Sequence, residues 1–166
     1  MDVIRIERAR PDEARTAYAI VSEYYEALGV VARETPEEFG RAYFGRTAGV
    51  WLAWVGSSLA GTIALRQFLA GDAAEIKRMY VREAYRGLGI AQKLLEEAER
   101  FAKEAGYLRI LLDSTDTMQA ARRLYERNGY QGCERYNSNP QATVFMSKRL
   151  GGSTSLSVSR PAKRSP

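Results

Sequence analysis

Histidine is missing from all 166 residues, and cysteine occurs once, as Cys133. The first absence removes the usual general base, the serine–histidine and cysteine–histidine nucleophile pairs, and the commonest metal ligand. Acid–base chemistry must then fall to Glu, Asp, Tyr, Lys or Cys. The second absence excludes an internal disulfide. With no histidine to activate it, Cys133 reads as a small apolar residue and not as a nucleophile. No apolar run approaches the ~20 residues that span a bilayer. The N-terminus, Met1-Asp2-Val3-Ile4-Arg5, lacks the basic patch and apolar stretch of a signal peptide. Together these absences predict a cytoplasmic protein with no membrane partner.

Charge of one sign is also scarce. The formal net charge is +5, and Arg160, Lys163 and Arg164 place +3 of it in residues 151–166, which hold no acid. Three charges on a tail make a weak case for nucleic acid, and no nucleic-acid partner is expected. The tail reads as a solvated end, separate from a domain over residues 1–150.

Strand and helix periods alternate along the rest. Val3–Ile6 alternates as a short strand. Pro11-Asp12-Glu13 opens a helix that Gly29 stops, and Pro36-Glu37-Glu38 opens another ending near Gly45. Val50–Val55 is rich in strand formers, Gly56-Ser57 fits a two-residue hairpin turn, and Leu59, Gly61, Ile63 and Leu65 alternate on the return. After Gly71-Asp72 a further strand runs from about Ala74 to Val81. Ile90, Ala91, Leu94, Leu95, Ala98, Phe101, Ala102 and Ala105 form one helical stripe, with Glu96–Arg100 and Glu99–Lys103 as i,i+4 pairs opposite and Gly106 as the stop. Ile110-Leu111-Leu112 is a buried strand. Asp116 or Thr117 caps a helix through Asn128, and two strands follow near Tyr130–Tyr136 and Thr143–Leu150. The order is β-α-α-β-β-β-α-β-α-β-β. It predicts an α/β domain with one mixed, mostly antiparallel sheet, helices on both faces and one parallel strand–helix–strand crossover.

The chemistry is expected where the strand ending at Val81 passes through Arg82–Leu88 into the helix beginning at Gly89. Glycines there let the backbone approach a ligand and adopt positive φ. The first helix amides lack internal partners and sit at the positive end of the helix dipole, so the turn suits a pyrophosphate. Arg82, Arg86 and Lys93 add positive charge. The pattern is neither a Walker loop nor the dinucleotide G-x-G-x-x-G, and a glycine pair before a helix is also found as a plain tight turn.

Glu75-Ile76-Lys77-Arg78-Met79-Tyr80-Val81 followed by Tyr85-Arg86-Gly87-Leu88-Gly89-Ile90-Ala91 resembles the central motif of the GNAT superfamily of N-acetyltransferases, with Arg86, Gly89 and Ala91 on its Gln/Arg-x-x-Gly-x-Gly/Ala pattern. Ala121-Arg122-Arg123-Leu124-Tyr125-Glu126-Arg127-Asn128-Gly129-Tyr130 resembles the family's later Ala-x-x-Leu-Tyr motif. The resemblance spans roughly residues 58–150. It implies a GNAT-like sheet that splays at the cofactor site, acetyl-CoA as co-substrate and no metal. The pantetheine arm would pair with backbone near Met79, Tyr80 and Val81, and the pyrophosphate would lie on the amides of Arg86, Gly87, Leu88, Gly89, Ile90 and Ala91. Glu75 stands where some members carry a catalytic glutamate; the alternative is an edge glutamate paired with Lys77 or Arg78. Tyr125 matches the tyrosine that reaches the cofactor sulfur, and is equally a core aromatic at helical spacing. Met118 stands where many relatives have asparagine and cannot supply an amide's hydrogen bonds.

For the acceptor, Asn139 in the loop Tyr136-Asn137-Ser138-Asn139-Pro140, Tyr136 itself and Tyr25 are the candidate contacts. A turn explains Asn-Pro as well. The implied activity is acetyl transfer to an amine, of a small molecule before a protein. A non-catalytic acyl-CoA-binding module is the competing reading, and the resemblance leaves a homodimer open.

Overall fold

The computed structural model describes residues 2–69 and 71–151; the expectation for the tail falls, from residue 152 on, outside the described residues. Seven strands form one sheet: β1 (Ile4–Arg8), β2 (Gly49–Val55), β3 (Ser58–Phe68), β4 (Ala73–Val81), β5 (Arg109–Ser114), β6 (Gln131–Gly132) and β7 (Val144–Arg149). Their spatial order is β1-β2-β3-β4-β5-β7-β6, antiparallel throughout except for the parallel pair β4–β5. Four helices complete the chain: α1 (Ala14–Leu28), α2 (Pro36–Tyr43), α3 (Ile90–Glu104) and α4 (Gln119–Arg127). No helix among the described residues is long and apolar enough to cross a membrane.

Both faces of the sheet centre are covered, so β2 and β3 have two rows to bury. On one face, Ala17, Ile20, Val21 and Tyr25 of α1 and Phe39 and Tyr43 of α2 pack on Val50, Leu52 and Ala64. On the other, Ile90, Leu94, Leu95, Ala98 and Ala102 of α3, with Leu124 and Tyr125 of α4, pack on Trp51, Ile63, Leu65, Ile76 and Leu112. The stripe read from α3 is thus its core face as far as Ala102; Ala105, just past the helix, is exposed. Thr35 and Glu38 form a reciprocal capping box ahead of α2, and Gly29 ends α1 at φ 60°. At Gly61 the sheet and α3 approach so closely that a Cβ would lie 2.9 Å from the Tyr80 carbonyl oxygen and 3.3 Å from Leu94 Cδ1.

Four local expectations need correction. Arg100 pairs with Glu97 and not Glu96. Glu99 is buried and pairs across to Lys148 of β7 at 2.9 Å, so it is not a surface partner of Lys103. The first residue before α4 is Met118, and neither Asp116 nor Thr117 caps the helix. The Asp116 amide is instead held by Thr143 Oγ1 at 2.9 Å, and the Thr117 hydroxyl by Thr115 at 2.8 Å. The strand expected over Tyr130–Tyr136 shrinks to Gln131–Gly132, because Arg135 turns to donate to the Asn139 and Ala142 carbonyls and folds the chain into a loop.

Candidate active site

Two features of β4 create the site. The first is the point where it leaves β5. Ladder pairing runs from Ala73↔Arg109 to Ile76↔Leu112 and stops. The next residues, Lys77 and Asp113, are joined only through side chains, Lys77 Nζ to Asp113 Oδ2 at 3.0 Å. Beyond them β5 stays with β7, while β4 stays with β3 to Val81. The gap is the splay that the sequence led us to expect. The second feature is a bulge. Ala64 pairs Lys77 and Thr62 pairs Tyr80, so Ile63 faces both Arg78 and Met79. Arg78 takes φ 56°, a left-handed value that is uncommon outside glycine. This turns its guanidinium onto the α1 side, where it meets Glu34 Oε2 at 2.9 Å and lies over the Tyr25 ring at 5.0 Å.

Beside the gap, Gly87 and Gly89 sit at φ 80° and 78° with open space around them, so conformation and not packing requires glycine here. Arg86 anchors the loop by donating Nε to the Val81 carbonyl at 3.0 Å. Lys93 is the first helical residue to bond back, to Gly89 at 3.2 Å. Among the described residues, the amides from Gly87 to Gln92 have no acceptor. Six free amides at the start of a 15-residue helix fit a pyrophosphate. Arg82 lends no charge to this cradle. It is spent on Glu23, at 2.6 Å, and on the Leu59 carbonyl.

A cleft of about 400 Å³ opens at the gap on the α1 side. Tyr24, Met79, Asp113, Met118, Tyr125 and Asn139 are among its lining residues, so strand, helix and loop candidates converge. The Tyr125 hydroxyl makes no hydrogen bond among the described residues, and the residue lines the cleft. Burial first, and then the nearby Asp113 carboxylate, hold its pKa well above the ordinary 10, so it keeps its proton. The loop after β6 is built by two successive side-chain turns: Asn137 Oδ1 accepts from the Asn139 amide and Asn139 Oδ1 from the Gln141 amide, each at 3.1 Å. Both Nδ2 groups then donate to Asp113 Oδ2, at 2.6 and 3.4 Å. Gln141 clasps the opposite rim, accepting from the Val31 amide at 2.9 Å and donating to the Gly29 carbonyl at 3.1 Å.

Other expected residues lie behind this wall. Glu75 is 1% exposed. It stands directly across from Arg66 in the β3–β4 ladder, and Arg66 Nη2 reaches its Oε1 at 3.1 Å. Its Oε2 takes Lys77 and Asn137, both at 3.3 Å. Tyr25 is equally enclosed and donates to Glu34 Oε2 at 2.6 Å. The Tyr136 hydroxyl is buried beside Glu75 without a hydrogen bond of regular geometry. Cys133 is half-buried, and burial lifts its thiol pKa. Sequence reasoning missed Glu34, Arg66 and Asp113. Asp113 had one signal, a charge ending the apolar run Ile110-Leu111-Leu112.

A sheet parted between two parallel strands, with free helix amides beside the gap, defines the acyltransferase folds that use a coenzyme A thioester. A family profile described as the acetyltransferase (GNAT) family matches residues 14–130. The chain belongs to that family. It is 36% identical over 84 residues to the uncharacterized N-acetyltransferase C1271.07c of Schizosaccharomyces pombe, covering 51% of this chain and 52% of that one. It is 37% identical over 105 residues to the uncharacterized N-acetyltransferase YsnE of Bacillus subtilis, covering 60% and 68%. The chain thus spans about half the length of the first of these relatives. An acetyltransferase of the GNAT family from Staphylococcus aureus Mu50 has the same fold, with TM-score 0.77 and 21% identity over 90% of this chain and 100% of that one.

Proposed function

We propose that this chain is an N-acetyltransferase that moves the acetyl group of acetyl-CoA directly to a primary amine of a small molecule in one ternary complex. The observation that carries the reading is the parting of β4 and β5 after Ile76 and Leu112, with free amides of residues 87–92 on one side and a cleft of about 400 Å³ on the other. A cleft of that size suits a small acceptor.

Bound acetyl-CoA supplies the activated thioester. The β4 edge beyond Ile76, from Met79 through Tyr80 to Val81, has no β5 neighbour and is free to pair with an extended arm. Arg86, Gly87, Leu88, Gly89, Ile90 and Ala91 would hold the pyrophosphate. The acceptor, arriving as an ammonium, gives one proton to solvent in the cleft before it attacks; as the new C–N bond forms and the C–S bond breaks it gives up a second, and the leaving thiolate takes one. Tyr125, protonated and facing the cleft, donates to that sulfur and is reprotonated from water. A thiol pKa near 8.5 makes this demand modest. Glu75 serves at one remove. It is a positioning residue that holds Arg66, Lys77 and Asn137. Asn139 lines the cleft as the acceptor-side contact, whereas Tyr25 is turned to Glu34 and Tyr136 is buried beside Glu75.

The test is the melting temperature with acetyl-CoA, beside ATP and NAD, followed by thiol release with a panel of amines. Ligand at about 100 times its dissociation constant stabilises the fold by ~2.7 kcal/mol. A selective rise supports the reading. No rise at millimolar acetyl-CoA would overturn it. A rise with no transfer to any amine would favour a non-catalytic acyl-CoA-binding module.

A further inference from the structure

We propose that the acceptor carries a carboxylate beside its amine, as an amino acid does, with Asp113 taking the ammonium end and Arg66 and Arg78 the carboxylate. This rests on the acetyl-transfer reading above and names the substrate class of the same site. The charges around the cleft balance: Arg66, Lys77 and Arg78 against Glu34, Glu75 and Asp113. The cleft therefore does not select by net charge. What it offers a ligand are the hydrogen-bonding valences that the protein leaves unspent.

Those valences are of two kinds, on two walls. On the β5 wall, Asp113 Oδ2 is fully used by Lys77, Asn137 and Asn139. Its Oδ1 takes no hydrogen bond among the described residues, and Asp113 lines the cleft. Burial pushes this carboxyl up, but the Lys77 charge and the two amide hydrogen bonds outweigh it and hold the pKa below the ordinary 3.8. Asp113 is therefore an anion that holds an ammonium without keeping its proton. On the β3–β4 wall, Arg66 gives Nε and Nη2 to Glu75 Oε1, and Arg78 gives Nε and Nη2 to Glu34 Oε2. Neither Nη1 has a hydrogen-bond acceptor among the described residues; that of Arg66 approaches Glu34 Oε1 only to 3.9 Å.

Both arginines line the cleft, whereas the acids that neutralise them do not. Lys77, the third cation, is already shared between Glu75 and Asp113. A carboxylate is the group that matches paired guanidinium donors. A plain alkylamine would leave both donors to water, and a polyamine would bring a second cation against them.

The test compares, in the intact protein, L-amino acids with their primary amides as acceptors for acetyl-CoA. The amide's amine is less basic and so more available in neutral form, which means a preference for the acid reports recognition of the carboxylate. We expect kcat/KM for at least one amino acid to exceed that of its amide by about tenfold or more. Arg66→Gln and Arg78→Gln should each bring that ratio toward one. Asp113→Asn should lower kcat/KM for both members of the pair alike. Wild-type protein that is stabilised by acetyl-CoA, yet acetylates the amides or simple alkylamines as well as the acids, would overturn this inference and leave the acetyl-transfer reading standing. Absence of stabilisation by acetyl-CoA would overturn both. The comparison needs only wild-type protein, so a variant that fails to fold does not remove the test.

Discussion

Glu75→Gln separates the two ways in which a buried carboxylate can serve this site. The substitution keeps the shape and one acceptor oxygen but removes the charge that Arg66 and Lys77 face at 3.1 and 3.3 Å. Breaking a buried ion pair by removing one partner costs about 3–5 kcal/mol. The Arg66 side chain is 37% exposed, so water screens its share. Lys77 retains Asp113 at 3.0 Å. With those two discounts we expect a loss of about 2 kcal/mol, which lowers the melting temperature by about 4–8 °C in a chain of this size. Kinetics in the same variant complete the argument. A positioning role raises the acceptor KM and leaves the shape of the kcat–pH profile unchanged. A base in contact with the amine would instead cost about 10²–10⁴-fold in kcat, with the acid limb of the profile lost. A melting temperature within about 1 °C of wild type would refute the claim that Glu75 is the electrostatic anchor of this wall.

Tyr125→Phe should reduce turnover by about 10²-fold while leaving the melting temperature unchanged, because Tyr125 lines the cleft and its hydroxyl accepts and donates no hydrogen bond among the described residues; an unaltered rate would reduce Tyr125 to packing. Gly89→Ala forces an L-residue to φ 78° and should cost about 1–2 kcal/mol together with weaker acetyl-CoA binding, measured by calorimetry, whereas Gly40→Ala, within α2 at ordinary helical φ and with open space, should weaken neither. Stability should be flat from neutrality to about pH 5 and fall below about pH 4. Burial raises both carboxyls, but Arg78 and the Tyr25 and Tyr43 hydroxyls outweigh it at Glu34, and Lys77 with Asn137 and Asn139 outweighs it at Asp113, so they titrate below their ordinary 4.5 and 3.8. A depressed folded-state pKa gives stability that is present above the unfolded value and lost as pH falls through the folded one, and acid titration of the ellipticity checks this.

The cofactor side and the acceptor side of this site differ in how far the sequence makes them visible, and the cause is physical. The loop of residues 86–91 works through backbone amides released by a helix start, and its requirements are local: two glycines at positive φ and one arginine reaching back five residues. A contiguous motif records all of that. The helical stripe of α3 and the hairpin at Gly56-Ser57 were legible for the same reason, since periodicity and turn chemistry act between near neighbours. The acceptor wall has no such record. Arg78 meets Glu34 across 44 positions, Asp113 meets Lys77 across 36, and Asn137 meets Glu75 across 62. Each of these residues in isolation looks like an ordinary surface polar group, and so does Glu99, whose spacing suits Lys103 although Lys148 of β7 claims it. Only the topology, which ends the β4–β5 ladder one residue before Lys77 and Asp113, brings the charges together. The same separation lets the two halves change independently. In the proposed reading, substitutions at Arg66, Asp113 or Asn139 alter which amine is held while residues 86–91 keep their backbone geometry, so acceptor choice is to be read from the wall of the cleft, while the motif speaks only for the cofactor.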